Sequence, residues 1–395
     1  MYDWTMAIGR HYFAAFPDSR PHDACLNIEA IPEKRITLQE IDRRRDMKKM
    51  ATFLVTICTL FLAGGSARLE AQESNYFQGK EIRVIVGFTP GGFYDRWARL
   101  LARYMPKYIA GKPDLIVQNM PGAGGLIAAN YTYNVAKPDG LTVASLSYGM
   151  YLDQMVGRSE AKYDIRKFGW IGSPEKSDVL LYMRSDAPYK SIQDIRKAAT
   201  PPKCGSTGTS GTDFILARLL EDTLDLKINT VMGYPGGSEI DLAVEKGEVQ
   251  CRGMTSAPYF GREPFITWRK KNFVNVLIFG GVKRDPRIPD TPTIYEIFDK
   301  ENTPNESRQV ADVILRGGDF GRPLVTPPGT PSNIIKSLRD AHAKAMTDPA
   351  LLDEAEKGKM EVGVVSGEEL HKLADKMISM PPGVVKRVKS VLTAK

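Results

Sequence analysis

Residues 82–101 read IRVIVGFTPGGFYDRWARLL, and the paired glycines in the middle are the first place where this chain offers chemistry. Gly91 and Gly92 let the backbone approach a bound group with no Cβ in the way. The N–H groups of the first helical turn behind them lack partners within the helix. The positive end of the helix dipole favours a carboxylate or phosphate there by a few tenths to about 1 kcal/mol at an exposed site. Pro90, Gly91, Gly92, Phe93, Tyr94 and Asp95 are therefore candidates for holding a small anion. A plain strand-to-helix turn capped by Asp95 accounts for the same residues equally well. Asp95 carries two readings. It caps the helix, or it meets the amine or hydroxyl of a solute, because a carboxylate so close to an anion repels it.

Three further turns share this design. The loop STGTSGT supplies Ser206, Thr207, Gly208, Thr209 and Ser210 just ahead of a helix, so its hydroxyls and N–H groups can donate to an anion. Tyr234 opens YPGGS ahead of another helix and adds a phenol. Thr255, Ser256 and Tyr259 follow a strand, where ligands of open α/β sheets gather. Any one of these turns is explained as a capped loop. Several of them, split between two halves of the chain, point to a cleft between lobes.

Catalysis has little raw material. The four histidines are His11 and His22 near the start and His342 and His371 in helical segments, too few and too scattered for a metal cluster or a His-based triad. Ser210 in GTSGT resembles a nucleophile elbow, but a threonine replaces the outer glycine. A serine hydrolase on the 206–212 loop is the catalytic alternative, and no general base is placed to serve it. Gly122, Gly124, Gly125 and Ala128 imitate a dinucleotide fingerprint, yet Pro121 breaks the strand-turn junction and no acidic residue closes a second strand. No catalytic residue, metal ligand or cofactor is assigned.

The elements that must position these loops alternate from residue 78 onward. Strands are expected at 82–86, 115–118, 141–146, 179–183, 203–206, 248–253 and 274–279, with helices over 97–108, 126–135 and 213–224. Thr330 is a candidate cap with Pro331 in the first turn, ahead of the apolar stripe Ile334, Leu338, Ala341 and Ala345; Ser366 and Glu369 form a capping box. This order argues for α/β layering.

With 395 residues, 42% apolar and 26% charged, the chain is globular in composition and long enough for two lobes. A net charge of +7 without a basic stripe interleaved with aromatics argues against nucleic acid. Met47, Lys48 and Lys49 precede an apolar run over 50–63 and the small residues 64–67, the order of a signal peptide ending near residue 67 or 71. Residues 1–46 then read as an upstream extension with translation starting at Met47; a cytoplasmic segment with an uncleaved anchor is the alternative. Beyond that leader only Cys204 and Cys251 remain, and a disulfide and two free buried thiols are both open.

TPGGFYDRWARLLA, NMPGAGGLIAAN with AKPDG, STGTSGTDFILARLL, GYPGGSEIDLAVEKGEV, RIPDTPTIYEI and VTPPGTPSNIIKSL occur in order between Gln78 and Val391. Together they resemble the substrate-binding proteins of tripartite tricarboxylate transporters, also called the Bug family. The resemblance implies a two-lobed periplasmic-binding-protein fold of type II: mixed sheets flanked by helices, with a hinge of two crossing strands. The lobes would be 78–178 plus 283–395 and 179–282. It implies a periplasmic, monomeric, non-enzymatic receptor that takes a small carboxylate and passes it to membrane permease subunits. A sensor engaging a membrane kinase is the alternative use of the same closure. Carried onto this chain, the ligand loops fall on Pro90, Gly91, Gly92 and Asp95 and on 206–212, with Tyr148, Tyr234 and Tyr259 holding the remainder of the solute. The chain departs from the family at Phe93 and Tyr94, where Gly and Thr are common, and at Ser147, Tyr148 and Gly149. Two rings at the cleft narrow it and disfavour a citrate-like ligand.

Overall fold

A computed structural model describes residues 76–393. The signal peptide and the upstream extension lie outside the described residues. The first sheet contains β1 (Glu81–Val86), β2 (Asp114–Asn119), β3 (Thr142–Ser145), β4 (Gly169–Ser173), β10 (Leu324–Thr326) and β11 (Val365–Ser366), in the order β11-β4-β10-β3-β1-β2. The second contains β5 (Val179–Arg184), β6 (Lys203–Ser206), β7 (Asn229–Met232), β8 (Cys251–Thr255) and β9 (Val274–Phe279), in the order β7-β6-β8-β5-β9. Both sheets are mixed. β1 runs parallel to β2 and β3 while β10 opposes β3 and β4; β6 runs parallel to β7 and β8 while β5 opposes β8 and β9.

Local sequence explains the elements around the first loop. Val84, Ile85 and Val86 are buried in β1, and helix Phe93–Tyr104 buries Phe93, Trp97, Leu100 and Leu101 on one face. Each such side chain stabilises the layer by about 1.5–3 kcal/mol. The capping box at Ser366 and Glu369 forms. Thr330 does not cap its helix. Its hydroxyl donates to the Pro327 carbonyl at 2.8 Å, and Pro331 holds the N-cap position of Ser332–Ala345.

The chain passes from the first sheet to the second over 174–178 and returns before β10 over 317–323. The two crossings are tied side by side. Ser177 N–H donates to the Gly318 carbonyl at 3.3 Å, and Arg322 N–H donates to Ser173 Oγ at 2.9 Å. Helices Asn305–Leu315 and Pro382–Thr393 pack against helix Thr212–Leu224, so both sit with the second sheet although the chain order groups them with the first.

Cys204 and Cys251 are joined as a disulfide, with Cα atoms 4.4 Å apart, and they are directly paired residues of β6 and β8. Of the two alternatives the sequence left open, the bridge is therefore the one formed. Their adjacency comes from a β6–β8 pairing that neither segment announces.

His342 is buried beneath β4: a Cβ on Gly172 would stand 2.5 Å from its Nδ1. Burial pushes its pKa from 6.5 down to about 4. The unfolded chain then binds a proton below pH 6.5 that the folded chain refuses until about pH 4. Its stabilising contribution is complete above pH 6.5 and is lost as pH falls toward 4. The loss is expected to reach about 2–3 kcal/mol at pH 4.5. Urea unfolding at pH 7 and 4.5 checks this, because His342→Gln should remove that part of the difference; an unchanged pH slope refutes it.

Candidate functional site

The two glycine-rich loops do cradle carboxylates, and the carboxylates belong to the protein. Asp95 Oδ2 accepts Gly91 N–H at 2.9 Å and Arg99 Nε at 2.9 Å, while its Oδ1 accepts Asn119 Nδ2 at 3.0 Å. Burial alone would raise the Asp95 pKa, but Arg99, Gly91 and Asn119 together hold it below the usual range. Across the molecule Asp213 does the same for the second loop. Its Oδ1 accepts Ser206 Oγ at 2.7 Å, Thr207 N–H at 3.0 Å and Phe214 N–H at 3.0 Å. Gly208 N–H goes to Ser206 Oγ at 3.2 Å. The donors of Gly91, Thr207 and Gly208, expected from the sequence to meet a solute, are therefore already engaged, and Asp95 acts as a clamp on its own loop.

A cavity of about 60 Å3 lies between the two sheets. Of the residues singled out in the sequence, Gly92, Phe93, Tyr94, Thr207 and Thr255 line it. Pro90, Gly91, Asp95, Ser147, Tyr148, Ser206, Gly208, Thr209, Ser210, Tyr234 and Ser256 are not in its wall. Several of these support the wall from behind. Tyr148 N–H donates to the Tyr94 hydroxyl at 3.3 Å, Ser147 Oγ to the Ser210 carbonyl at 3.3 Å, and Ser256 Oγ lies 3.3 Å from Ser177 Oγ.

Three arginines missed in the sequence complete the wall: Arg252 on β8, Arg262 just after helix Ser256–Gly261, and Arg322 on the return crossing. Arg322 is 2% exposed and pairs with Glu175 of the other crossing, whose Oε2 also accepts Trp97 Nε1 at 2.5 Å. Its Nη2 donates to Thr255 Oγ1 at 3.0 Å, and its Cζ lies 4.9 Å from the ring centroids of both Phe93 and Tyr94. Burial brings the guanidinium down to about 10, so it stays charged at neutral pH. Arg252 donates to Asp241 at 2.9 Å and to the Gly237 carbonyl at 3.0 Å, and Arg262 pairs with the same Asp241. A Cβ at Gly237 would stand 2.3 Å from Arg252 Nη2, so a larger residue there would displace the guanidinium. Lone arginines have no spacing signature. Topology alone assembles them.

On the opposite face of the cavity Tyr94 stacks on Phe88 with centroids 4.6 Å apart. Thr89 Oγ1 reaches across the mouth to Glu239 Oε2 at 3.0 Å. Deeper in, the turn around 123–124 meets the 208–211 loop backbone to backbone. A Cβ on Gly124 would lie 2.3 Å from Gly211 N, and one on Gly208 would lie 3.0 Å from Ala123 Cα. Among the described residues, neither histidine, His342 or His371, lines the cavity.

The family model for the tripartite tricarboxylate transporter family receptor matches residues 97–389. A UPF0065 protein in the gbd 5' region of Cupriavidus necator is 27% identical over 351 residues, 88% of this chain and 98% of that relative. Among solved structures, the periplasmic binding protein BugD aligns with a TM-score of 0.63 at 18% identity, over 80% of this chain and 98% of its own. MatC from Rhodopseudomonas palustris, with bound malate, aligns with a TM-score of 0.62 at 21% identity, over 80% and 100%. At such identities the likeness to the solved structures is one of fold.

Proposed function

The chain belongs to the tripartite tricarboxylate transporter receptor family, and from that premise we propose that it captures a small organic carboxylate between its two sheets and delivers it to the membrane subunits of such a transporter. Members of this family are solute-binding receptors rather than enzymes. The observation that carries the reading is the cavity itself. It is bounded by loops of both sheets, lined by three arginines, and bridged at its back by the crossings through Glu175 and Arg322. Closure around a solute would bring the lobe holding Phe93 and Tyr94 against the lobe holding Thr207, Thr255 and Arg252. The receptor works as an exported monomer. Among the described residues no helix is long and apolar enough to cross a membrane.

MatC carries malate, which supports a carboxylate as the class of solute for this chain too. A ligand that binds only the folded state stabilises it by about 2.7 kcal/mol at a hundredfold excess over Kd. A thermal-shift screen of small carboxylates is therefore expected to return at least one stabiliser at millimolar concentration. If none raises Tm, the receptor reading fails.

A further inference from the structure

Three guanidinium groups line the cavity and three buried carboxylates answer them. Asp241 takes both Arg252 and Arg262, Asp213 stands 4.0 Å from Arg252 Nε, and Glu175 pairs with Arg322. The fixed charges around the solute space therefore cancel. A dianion entering such a space gives up the hydration of two carboxylates instead of one and meets no uncompensated positive charge in return.

What the network leaves over is hydrogen-bonding capacity. The Nε atoms of Arg252, Arg262 and Arg322 are buried and donate no hydrogen bond. Gly237, in the cavity wall, opens a ten-residue helix with no side-chain cap. Such donors suit one carboxylate group. Phe88, Phe93, Tyr94, Met254 and Pro258 give the wall an apolar part, beside the hydroxyls of Thr89, Thr207, Thr212 and Thr255. Phe88 and Tyr94 stack on each other with ring planes 27° apart, so both rings are held rigidly in the wall.

Resting on the reading of the chain as a carboxylate receptor, we infer that its solute is a monocarboxylate with a flat apolar body, of the chemical kind of benzoate, and not a dicarboxylate. The carboxylate lies toward Arg252, Arg262 and the Gly237 helix end, and the body lies against Phe93 and Tyr94.

Calorimetric titration of the full chain with benzoate, malate and succinate at one ionic strength tests this. The Kd for benzoate is expected to be at least tenfold lower than for either dianion. A dianion that binds as tightly as benzoate overturns the inference and leaves the receptor reading intact. If none of the three binds, the inference also falls, and the broader carboxylate screen decides the receptor reading separately. Asp241→Asn removes one buried negative charge at nearly constant shape, so the malate-to-benzoate affinity ratio should rise at least tenfold; an unchanged ratio in a folded variant refutes the charge argument. Should that variant not fold, Tyr94→Thr is the second probe. It is expected to weaken benzoate about tenfold, and unchanged benzoate binding overturns the placement of the flat body.

Discussion

Glu175→Gln is expected to destabilise the protein by about 3–5 kcal/mol, the usual cost of removing one partner of a buried ion pair. Glu175 is fully buried and Arg322 is 2% exposed, so no solvent is at hand to replace the lost charge. The amide can still accept from Trp97 Nε1, which holds the local shape while leaving the guanidinium uncompensated. Urea denaturation of the two single variants and the double variant separates the contributions. Glu175→Gln combined with Arg322→Met should recover much of the loss, because a neutral pair in an apolar setting carries no desolvation penalty. A single Glu175→Gln variant within 1 kcal/mol of the native protein would show that the pair is not isolated from solvent as described. The same substitution should loosen the crossings, since Glu175 and Arg322 sit one on each.

Loss of the Cys204–Cys251 bridge is expected to cost about 4 kcal/mol. The bridge closes a loop of 47 residues, and the chain-entropy relation gives about 4 kcal/mol for that length, within a general range of about 2–5 kcal/mol. It also joins β6 to β8 at the residue pair through which those strands register. Cys204→Ala with Cys251→Ala should unfold at lower urea than the native protein and be insensitive to dithiothreitol. The native protein treated with dithiothreitol should fall to the same midpoint. If the reductant moves neither protein, the bridge is absent or contributes nothing.

Seven strands were legible from short apolar, β-branched runs between turn signals, and β1, β6 and β9 lie within a residue of the expected bounds. The helix after Gly92 runs Phe93–Tyr104, four residues ahead of the stripe that announced it, and β7, β10 and β11 were not expected. β4 was not among the expected strands: GWIGS has no alternating pattern, and it is buried on both faces. The loops were read as places for a solute carboxylate, with Asp95 as the alternative occupant of the first; in the structure Asp95 and Asp213 accept from their own loops, and nothing in the sequence announced the second. Phe93 and Tyr94 were noticed as large side chains at positions where the family is small, and both line the cavity. Arg252 and Arg262 are ten residues apart, Arg322 lies sixty further on, and the three share no motif, so their convergence is a property of the topology. The disulfide is a similar case, since Cys204 and Cys251 become neighbours only through a parallel pairing of non-consecutive strands.

The contact between the 123–124 turn and the 208–211 loop has a thermodynamic consequence of its own. An interface built from side chains immobilises them when it forms, at about 0.5–1.5 kcal/mol for each long one. Glycines have no rotamers to lose. If the lobes part and close on a solute as proposed, a seam of Gly124 against Gly211 and Gly208 against Ala123 would re-form without that entropic toll and with little grip to resist reopening. It would then act as an end stop, limiting how near the halves come and leaving the solute to hold them there. One added methyl at Gly124, 2.3 Å from Gly211 N, would force this seam apart.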